Sequence, residues 1–537
     1  MKLKQKWLIK NGWLYDGTGA EPKKADILLE NGIIIQIGTN LSEDGAKKID
    51  ADGCAVTPGF IDVHRHCDAA VLMNQEFGKL ELAQGITTVI GGNCGMSLAP
   101  SSDYFRKSMY QYYSPCLGKI PEEVKIPDMA TYFDKLQECR LRVNVGTMVG
   151  MGSIRIAVKG FQKERFTSDE LRKAENLVHQ SISQGALGLS TGLMYLPECY
   201  SSFEEMKTLW KVAAKEKSII SCHIRGEGNS LVSSVEEICK LSKETGLKIN
   251  ISHFKSVGCK NWKKEIYRAA RVLENSNLDM SVDFYPYTGG ATTLLSLIPP
   301  DVLDDNLQEF LKQIAGSMGR KRLKEELYKE HAGWDNMVLD IGWDNIYLGS
   351  LQQMQNKKYI GKNIKEAAKT GNYGDEVDFI CDLLIRENGE AGVILMSMSA
   401  EDVDYVASLP YSMIISDSLY GDLDNPHPRL CGAFAKVIED FVCKRRILTL
   451  QEAVRKMTGF PASRFQIEKR GFLKEGYYGD VNIFNPQSIR SPADFKNSNL
   501  RSSGMKAVFV GGELSLYEGK YLGTNGSIIK NHVSYEK

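Results

Sequence analysis

The strongest constraint on this chain is a rhythm. Through its long middle, short apolar β runs alternate with helical stretches. The runs are GFIDVHRH (59–66), ITTVIGGN (86–93), VNVGTMVG (143–150), ALGLST (186–191), IISCHI (219–224), KINISHF (248–254), MSVDFYPY (280–287) and YSMIISDS (411–418). Amphipathic stretches such as TSDELRKAENLVHQSISQG and SSVEEICKLSKETG lie between them, the second opening on Ser and closing on Gly as capped helices do. Eight strands alternating with helices favour an α/β fold, a (β/α)8 TIM-like barrel, over a doubly wound sheet. Residues of about 289–392, between the seventh and eighth runs, are too long for an ordinary barrel loop and carry helical sequence of their own (NLQEFLKQIAGSMGRKRLKEELYKEH). They read as an inserted lid or subdomain.

The two ends share a different grammar. WLIKNGWLYDG and ADILLENGIIIQIG near the start are β-rich runs broken by Asn-Gly, a hairpin signal; GDVNIFNP and MKAVFVGGELSLYEGKYLG near the end are strands around Gly-rich turns. Neither end has enough strands for a stable sheet alone. The expectation is one small β-sandwich domain built from residues 1–57 and 475–537, with the barrel, 58–474, inserted between them.

Composition narrows the function classes. Of 537 residues, 42% are hydrophobic, ample for a large core, and Lys+Arg equals Asp+Glu at 67 each. That balance argues against nucleic-acid or anionic-membrane partners and leaves a small-molecule substrate. No long apolar stretch follows the first lysines, and the twelve cysteines show no CxxC pairs, so the expected setting is cytoplasmic with reduced thiols.

The chemistry is written at the strand ends. Residues two apart share a strand face, so His64 and His66 point one way, at the end where barrel enzymes place their active sites. The second run ends at GGNCG and exposes Cys94; the fifth presents His223, the sixth His253 and the eighth Asp417. A lone buried cysteine is usually a small hydrophobe, and an Asp after a strand is usually a helix cap. Four of the eight histidines at strand ends are harder to attribute to packing. Imidazole, thiolate and carboxylate together are zinc's donors.

PGFIDVHRHCD, GITTVIGGNCGMSLAP, GALGLSTGLMYLP, HIRGEG, ISHFK, DFYPYTGG, SDS with PHPRLCGAF, and LTLQEAVRKMTGFPASRF resemble the N-acyl-D-amino-acid deacylase (D-aminoacylase) family of the amidohydrolase superfamily. The resemblance spans nearly the whole chain. It implies that Cys94 takes the metal-bridging part that a carboxylated lysine plays in many other amidohydrolases. It further implies that Cys94, His223 and His253 hold a tightly bound Zn2+, while His64, His66 and Asp417 line a second, weaker site. Asp417 is then the catalytic general base and acid, and Tyr195 and Tyr285 match positions near the substrate.

Arg225 and Lys255, two residues beyond His223 and His253, are candidate partners for a substrate carboxylate; the competing reading makes them rim salt bridges. Ala291, Ser418, Cys67 and Phe254 depart from the family's usual residues without touching the ligand set. Two alternatives stand beside the deacylase: a cyclic-amide hydrolase of the dihydroorotase or hydantoinase kind, and a non-catalytic scaffold on the same fold.

Overall fold

A computed structural model of the chain describes residues 5–42, 44–303, 306–331, 333–421 and 425–531. The first four and last six residues of the expected terminal β unit lie outside that range.

Strands β1 (Trp7–Leu14), β2 (Lys23–Glu30), β3 (Ile33–Gly38), β4 (Lys47–Asp50) and β5 (Ala55–Pro58) come first. The two Asn-Gly pairs play different parts. Asn31 (φ 53°) and Gly32 (φ 89°) join β2 to β3 as a hairpin turn needing left-handed backbone at both positions. Asn11–Gly12 instead forms a bulge inside β1, where the register with β2 shifts between Ile9 and Gly12. A Cβ at Gly12 would meet Val56 at 2.3 Å, so this second pair marks a close backbone approach rather than a turn.

Eight parallel segments follow the expected runs: β6 (Phe60–Asp62), β7 (Ile86–Gly91), β8 (Asn144–Thr147) continuing past Met148 as β9 (Val149–Gly150), β10 (Gly188–Gly192), β11 (Ile219–His223), β12 (Lys248–Ile251) and β13 (Met280–Phe284). After the long intervening segment with β14 (Gly289–Thr293), β15 (Ile346–Ser350) and β16 (Gly392–Met396) comes the eighth, β17 (Ser412–Ile414). They pair in two groups, β6-β7-β8 and β17-β13-β12-β11-β10-β9. Single backbone bonds run between the groups: Asp417 N to His64 O (2.9 Å) and His66 N to Ser418 O (3.0 Å) on one side, Leu187 N to Thr147 O (2.9 Å) on the other. Nearly every residue of these strands is buried, as expected when both faces are covered.

The flanking helices start and stop where local chemistry demands. Thr167 and Glu170 form a reciprocal cap on the helix Ser168–Ser183, and Ser202 with Glu205 does the same for Phe203–Lys215. The helix Leu231–Thr245 ends on left-handed Gly246 as read. It starts earlier than the sequence suggested, and the Ser230 hydroxyl bonds Asp335 (2.9 Å) instead of capping it.

Segment 289–396 carries a sheet of its own, order β14-β16-β15, and an apolar cluster that includes Leu294, Phe310, Ile346, Phe379 and Leu384. Its first and last strands lie side by side, Gly289 opposite Met396. The chain ends in β18 (Val481–Phe484), β19 (Met505–Val510), β20 (Glu513–Tyr517) and β21 (Lys520–Tyr521). These join β1–β5 in one nine-stranded sheet, with β5 and β18 antiparallel at the seam (Thr57 opposite Asn482). Ile9, Ile27, Val56, Ile483 and Phe509 fill its own apolar cluster. The twelve cysteines are unpaired, and no described helix is long and apolar enough to cross a membrane.

Candidate metal centre

Strand β6 stops at Asp62, yet the alternation persists beyond it because backbone bonds to residues 417 and 418 hold the chain extended. His64 and His66 turn to one side. Arg65 turns to the other, where its buried guanidinium meets Asp62 (3.0 Å), Glu81 (2.7 Å) and the Tyr420 hydroxyl (2.7 Å).

Cys94 is presented by a tight loop. Asn93 Nδ2 bonds the carbonyls of Val63 (3.2 Å) and Ile90 (3.1 Å), pinning it to two strand ends. Gly92 has φ 70°, and a Cβ there would strike Met148 O at 2.1 Å, so only glycine fits. Cys94 itself has φ 51°, His253 φ 36° and Asp417 φ 52°. Three non-glycine residues thus take the left-handed region at three strand ends, a conformation that costs roughly 1–3 kcal/mol each and persists only where surroundings enforce it.

These turns converge. Cys94 Sγ lies 3.3 Å from His64 Nε2 and 3.5 Å from His253 Nε2. Two trios form around it, His64–His66–Cys94 and Cys94–His223–His253, each with its ligand atoms within 4.8 Å of one another. Cys94 belongs to both. Asp417 Oδ1 sits 3.1 Å from His66 Nε2 and 3.4 Å from His64 Nε2. Among the expected substrate residues, Lys255, Tyr195 and Tyr285 line the adjoining cavity together with His66, Cys94, His223, His253 and Asp417. Arg225 does not: it forks onto Glu237 (3.1 Å, twice) and the Cys199 carbonyl (2.9 Å), as a rim salt bridge. The strand ends at His223, so the side-chain alternation on which its placement was expected no longer applies two residues later.

The donor set fits a cation such as zinc. Both ring nitrogens of buried His223 lack a hydrogen-bond partner, an expensive arrangement unless a metal accepts a lone pair. Burial, reinforced by neighbouring His253 and Lys255, holds the His223 imidazole well below its ordinary pKa and therefore neutral. Burial and Lys255 do the same to His253. His253 Nδ1 stands 2.8 Å from Glu227 Oε1, and Lys255 Nζ 2.6 Å from the same oxygen. Lys255 Nζ also lies 2.8 Å from His253 Nδ1, so the Glu227–Lys255 pair fixes the ring with Nε2 toward Cys94. Burial pushes the Cys94 thiol well above its usual pKa, so it ionises only against a nearby cation. Burial also opposes charge on Asp417, but Arg429, His64 and His66 outweigh it and hold that carboxyl well below the ordinary range.

Arg429, which the sequence reading did not single out, is the decisive one of these. It is fully buried, its Nη1 lies 2.8 Å from Asp417 Oδ2, and its guanidinium stacks 4.6 Å over the Tyr285 ring. Asp283, also unforeseen, accepts from the His253 backbone N–H and lies 3.6 Å from His64 Nδ1.

With this geometry in hand, comparison with known proteins is informative. Residues 55–249 and 414–515 match two models, each described as amidohydrolase family. The N-acyl-D-glutamate deacylase of Alcaligenes xylosoxydans xylosoxydans is 30% identical over 521 residues, 95% of this chain and 94% of that one. The chain belongs to the N-acyl-D-amino-acid deacylase branch of the amidohydrolase family. A D-aminoacylase of the same organism is 28% identical to this amidohydrolase over 94% of its chain and 93% of the relative. The crystal structure of N-acyl-D-glutamate deacylase from Bordetella bronchiseptica, complexed with zinc and a phosphonate mimic of the tetrahedral intermediate, superposes with a TM-score of 0.82 at 29% identity. It covers 99% of the amidohydrolase chain and 100% of its own.

Proposed function

We propose that this amidohydrolase cleaves the amide of N-acyl-D-amino acids, giving a carboxylate and a free D-amino acid. The observation that carries the reading is the pair of trios sharing Cys94, with Asp417 beside them. Cys94, His223 and His253 would hold one zinc, and His64, His66 and Asp417 border a second, weaker site. Zinc held there supplies positive charge that polarises the amide carbonyl and eases deprotonation of water near neutral pH. The chain's own residues do the rest. Asp417, kept ionised by Arg429, takes the proton of the attacking water and delivers it to the departing amine nitrogen. Lys255 and Tyr285 face the substrate carboxylate, and Tyr195 flanks the cavity beside His223, their rings 4.8 Å apart.

The architecture that serves this site is a TIM-like barrel. The backbone bonds between the two parallel groups support a closed ring of eight strands, and the separate apolar cluster of the nine-stranded sheet supports a distinct β unit (1–57 with 475–537) beside it. The segment 289–392 then acts as a lid. A cyclic-amide hydrolase has less support, because the loop after β7 presents a thiol and the relatives at 28–30% identity over most of the chain are an N-acyl-D-glutamate deacylase and a D-aminoacylase.

The test is a zinc-loaded enzyme assayed against N-acetyl-D-amino acids, their L forms, and hydantoins. Hydrolysis confined to the D-acyl compounds, with zinc found by elemental analysis, is expected. A native protein free of metal, or one faster on hydantoins, would overturn the reading.

A further inference from the structure

The curated relatives named above include a deacylase of N-acyl-D-glutamate, whose substrate carries two carboxylates. The cavity here has a different character. Besides the site's polar groups it is lined by Met96, Met194, Val257, Met337, Leu395 and Leu419. Met194, Val257, Met337 and Leu395 all line the cavity and all belong to the apolar cluster of segment 289–396. Val257 lies two residues beyond Lys255, while Met337 and Leu395 come from the segment itself.

Charge on that wall is absent. Among the described residues, Lys255 is the only lysine or arginine that lines the cavity, and Glu227 already engages it at 2.6 Å. Arg429 and Arg225 are not among the lining residues; Arg429 lies against Asp417 (2.8 Å) and Arg225 against Glu237 (3.1 Å). One substrate carboxylate can therefore be met by Lys255. A second, on the side chain, would be buried against thioether and aliphatic carbon without a partner, and an unpaired buried charge is strongly disfavoured. Methionine side chains are flexible and polarisable, and they adapt to apolar groups of differing shape.

We infer that the side-chain pocket of this enzyme, formed by Met194, Val257, Met337 and Leu395, selects N-acyl amino acids with large apolar side chains and rejects acidic ones. The inference rests on the deacylase reading above and deepens it. It places specificity in a segment outside the β/α strands, on residues that do not touch the metal ligands' chemistry.

The experiment measures kcat/KM of the zinc-loaded enzyme for N-acetyl-D-leucine, -methionine, -phenylalanine, -glutamate and -aspartate. Leucine and methionine derivatives are expected to exceed the glutamate derivative by 100-fold or more. Equal or faster hydrolysis of the acidic compounds overturns the pocket assignment while leaving the reaction intact. Loss of all five, in an enzyme that contains zinc, overturns the reaction and the pocket with it. Met337→Arg, checked for folding by circular dichroism and for zinc content, should shift the glutamate-to-leucine ratio by at least tenfold toward glutamate. Met337→Ala, which only enlarges the wall, should raise the phenylalanine-to-leucine ratio. Ratios unchanged in both variants would remove Met337 from the pocket.

Discussion

At the scale of single residues, the site is made by backbone that most side chains avoid. Cys94, His253 and Asp417 all sit at positive φ, each just past a strand, and this turns their side chains back toward one point. Asp417 is the residue whose role is most directly tested. Asp417→Asn keeps the shape but can neither accept a proton nor pair with Arg429 as a charge. Turnover should fall by about 100- to 10,000-fold while zinc content stays near wild type; near-normal kcat would remove Asp417 from the proton-transfer role. Which residues could be read from sequence follows from locality. The strand-end donors announce themselves through two-residue alternation and glycine-rich loops. Arg429 does not, because it opens the helix Arg429–Lys436 twelve residues after Asp417, where no strand alternation sets its direction. Arg225 misled for the opposite reason: alternation was extended past the end of a strand, and the guanidinium found Glu237 on the neighbouring helix instead.

At the scale of elements, helix caps, strand cores and the helices Leu307–Ala315 and Ser317–Leu327 of segment 289–396 were legible, and the strands of that segment were not. GGATT, which becomes β14, has two glycines and no alternation, and its strand character comes from pairing with β16 rather than from its own residues. Another element-level device is the turn after β10. Buried Glu198 accepts from Gly192 N–H (2.9 Å) and the Thr191 hydroxyl, fastening the strand end to the following 3-10 turn. Burial lifts its carboxyl from an ordinary 4.5 to about 7. The folded protein therefore keeps this proton up to about pH 7, whereas the unfolded chain releases it near 4.5, so folding stability declines as pH rises between those values. A rise of that size corresponds to about 3 kcal/mol. Glu198→Gln mimics the protonated form and does not titrate. Its advantage over wild type in urea denaturation should grow from pH 5 to pH 8; a difference that stays flat with pH would refute the assignment.

At the scale of the whole molecule, the two ends of the chain are joined through one sheet, and a buried ion pair ties its C-terminal part to β8. Asp480 opens β18, pairs with Arg470, and accepts from Asn144 Nδ2 (3.1 Å) of β8 and from Gly511 N–H (2.6 Å). Arg470 and Asp480 are both about 5% exposed. Asp480→Ala leaves a buried guanidinium uncompensated and should cost about 3–5 kcal/mol, read as a lower urea midpoint, with kcat under native conditions unchanged. The terminal strands themselves were visible in sequence; the tie between Asp480 and Asn144 was not, because nothing local links residue 144 to residue 480.

The side-by-side strands at which segment 289–396 leaves and rejoins the chain form one line of attachment, and Asp335, which accepts from Gly228 N–H (2.7 Å) and the Ser230 hydroxyl (2.9 Å), forms another. Met337 and Leu395 of this segment line the cavity that holds His223 and His253. In the lid reading proposed above, each catalytic cycle includes a swing of the segment about these attachments, once to admit substrate and once to discharge products. Where such motion is slower than bond cleavage it sets the pace, so kcat should decline in proportion to solvent viscosity when glycerol or sucrose is added, while a polymeric thickener that leaves local friction unchanged has no effect.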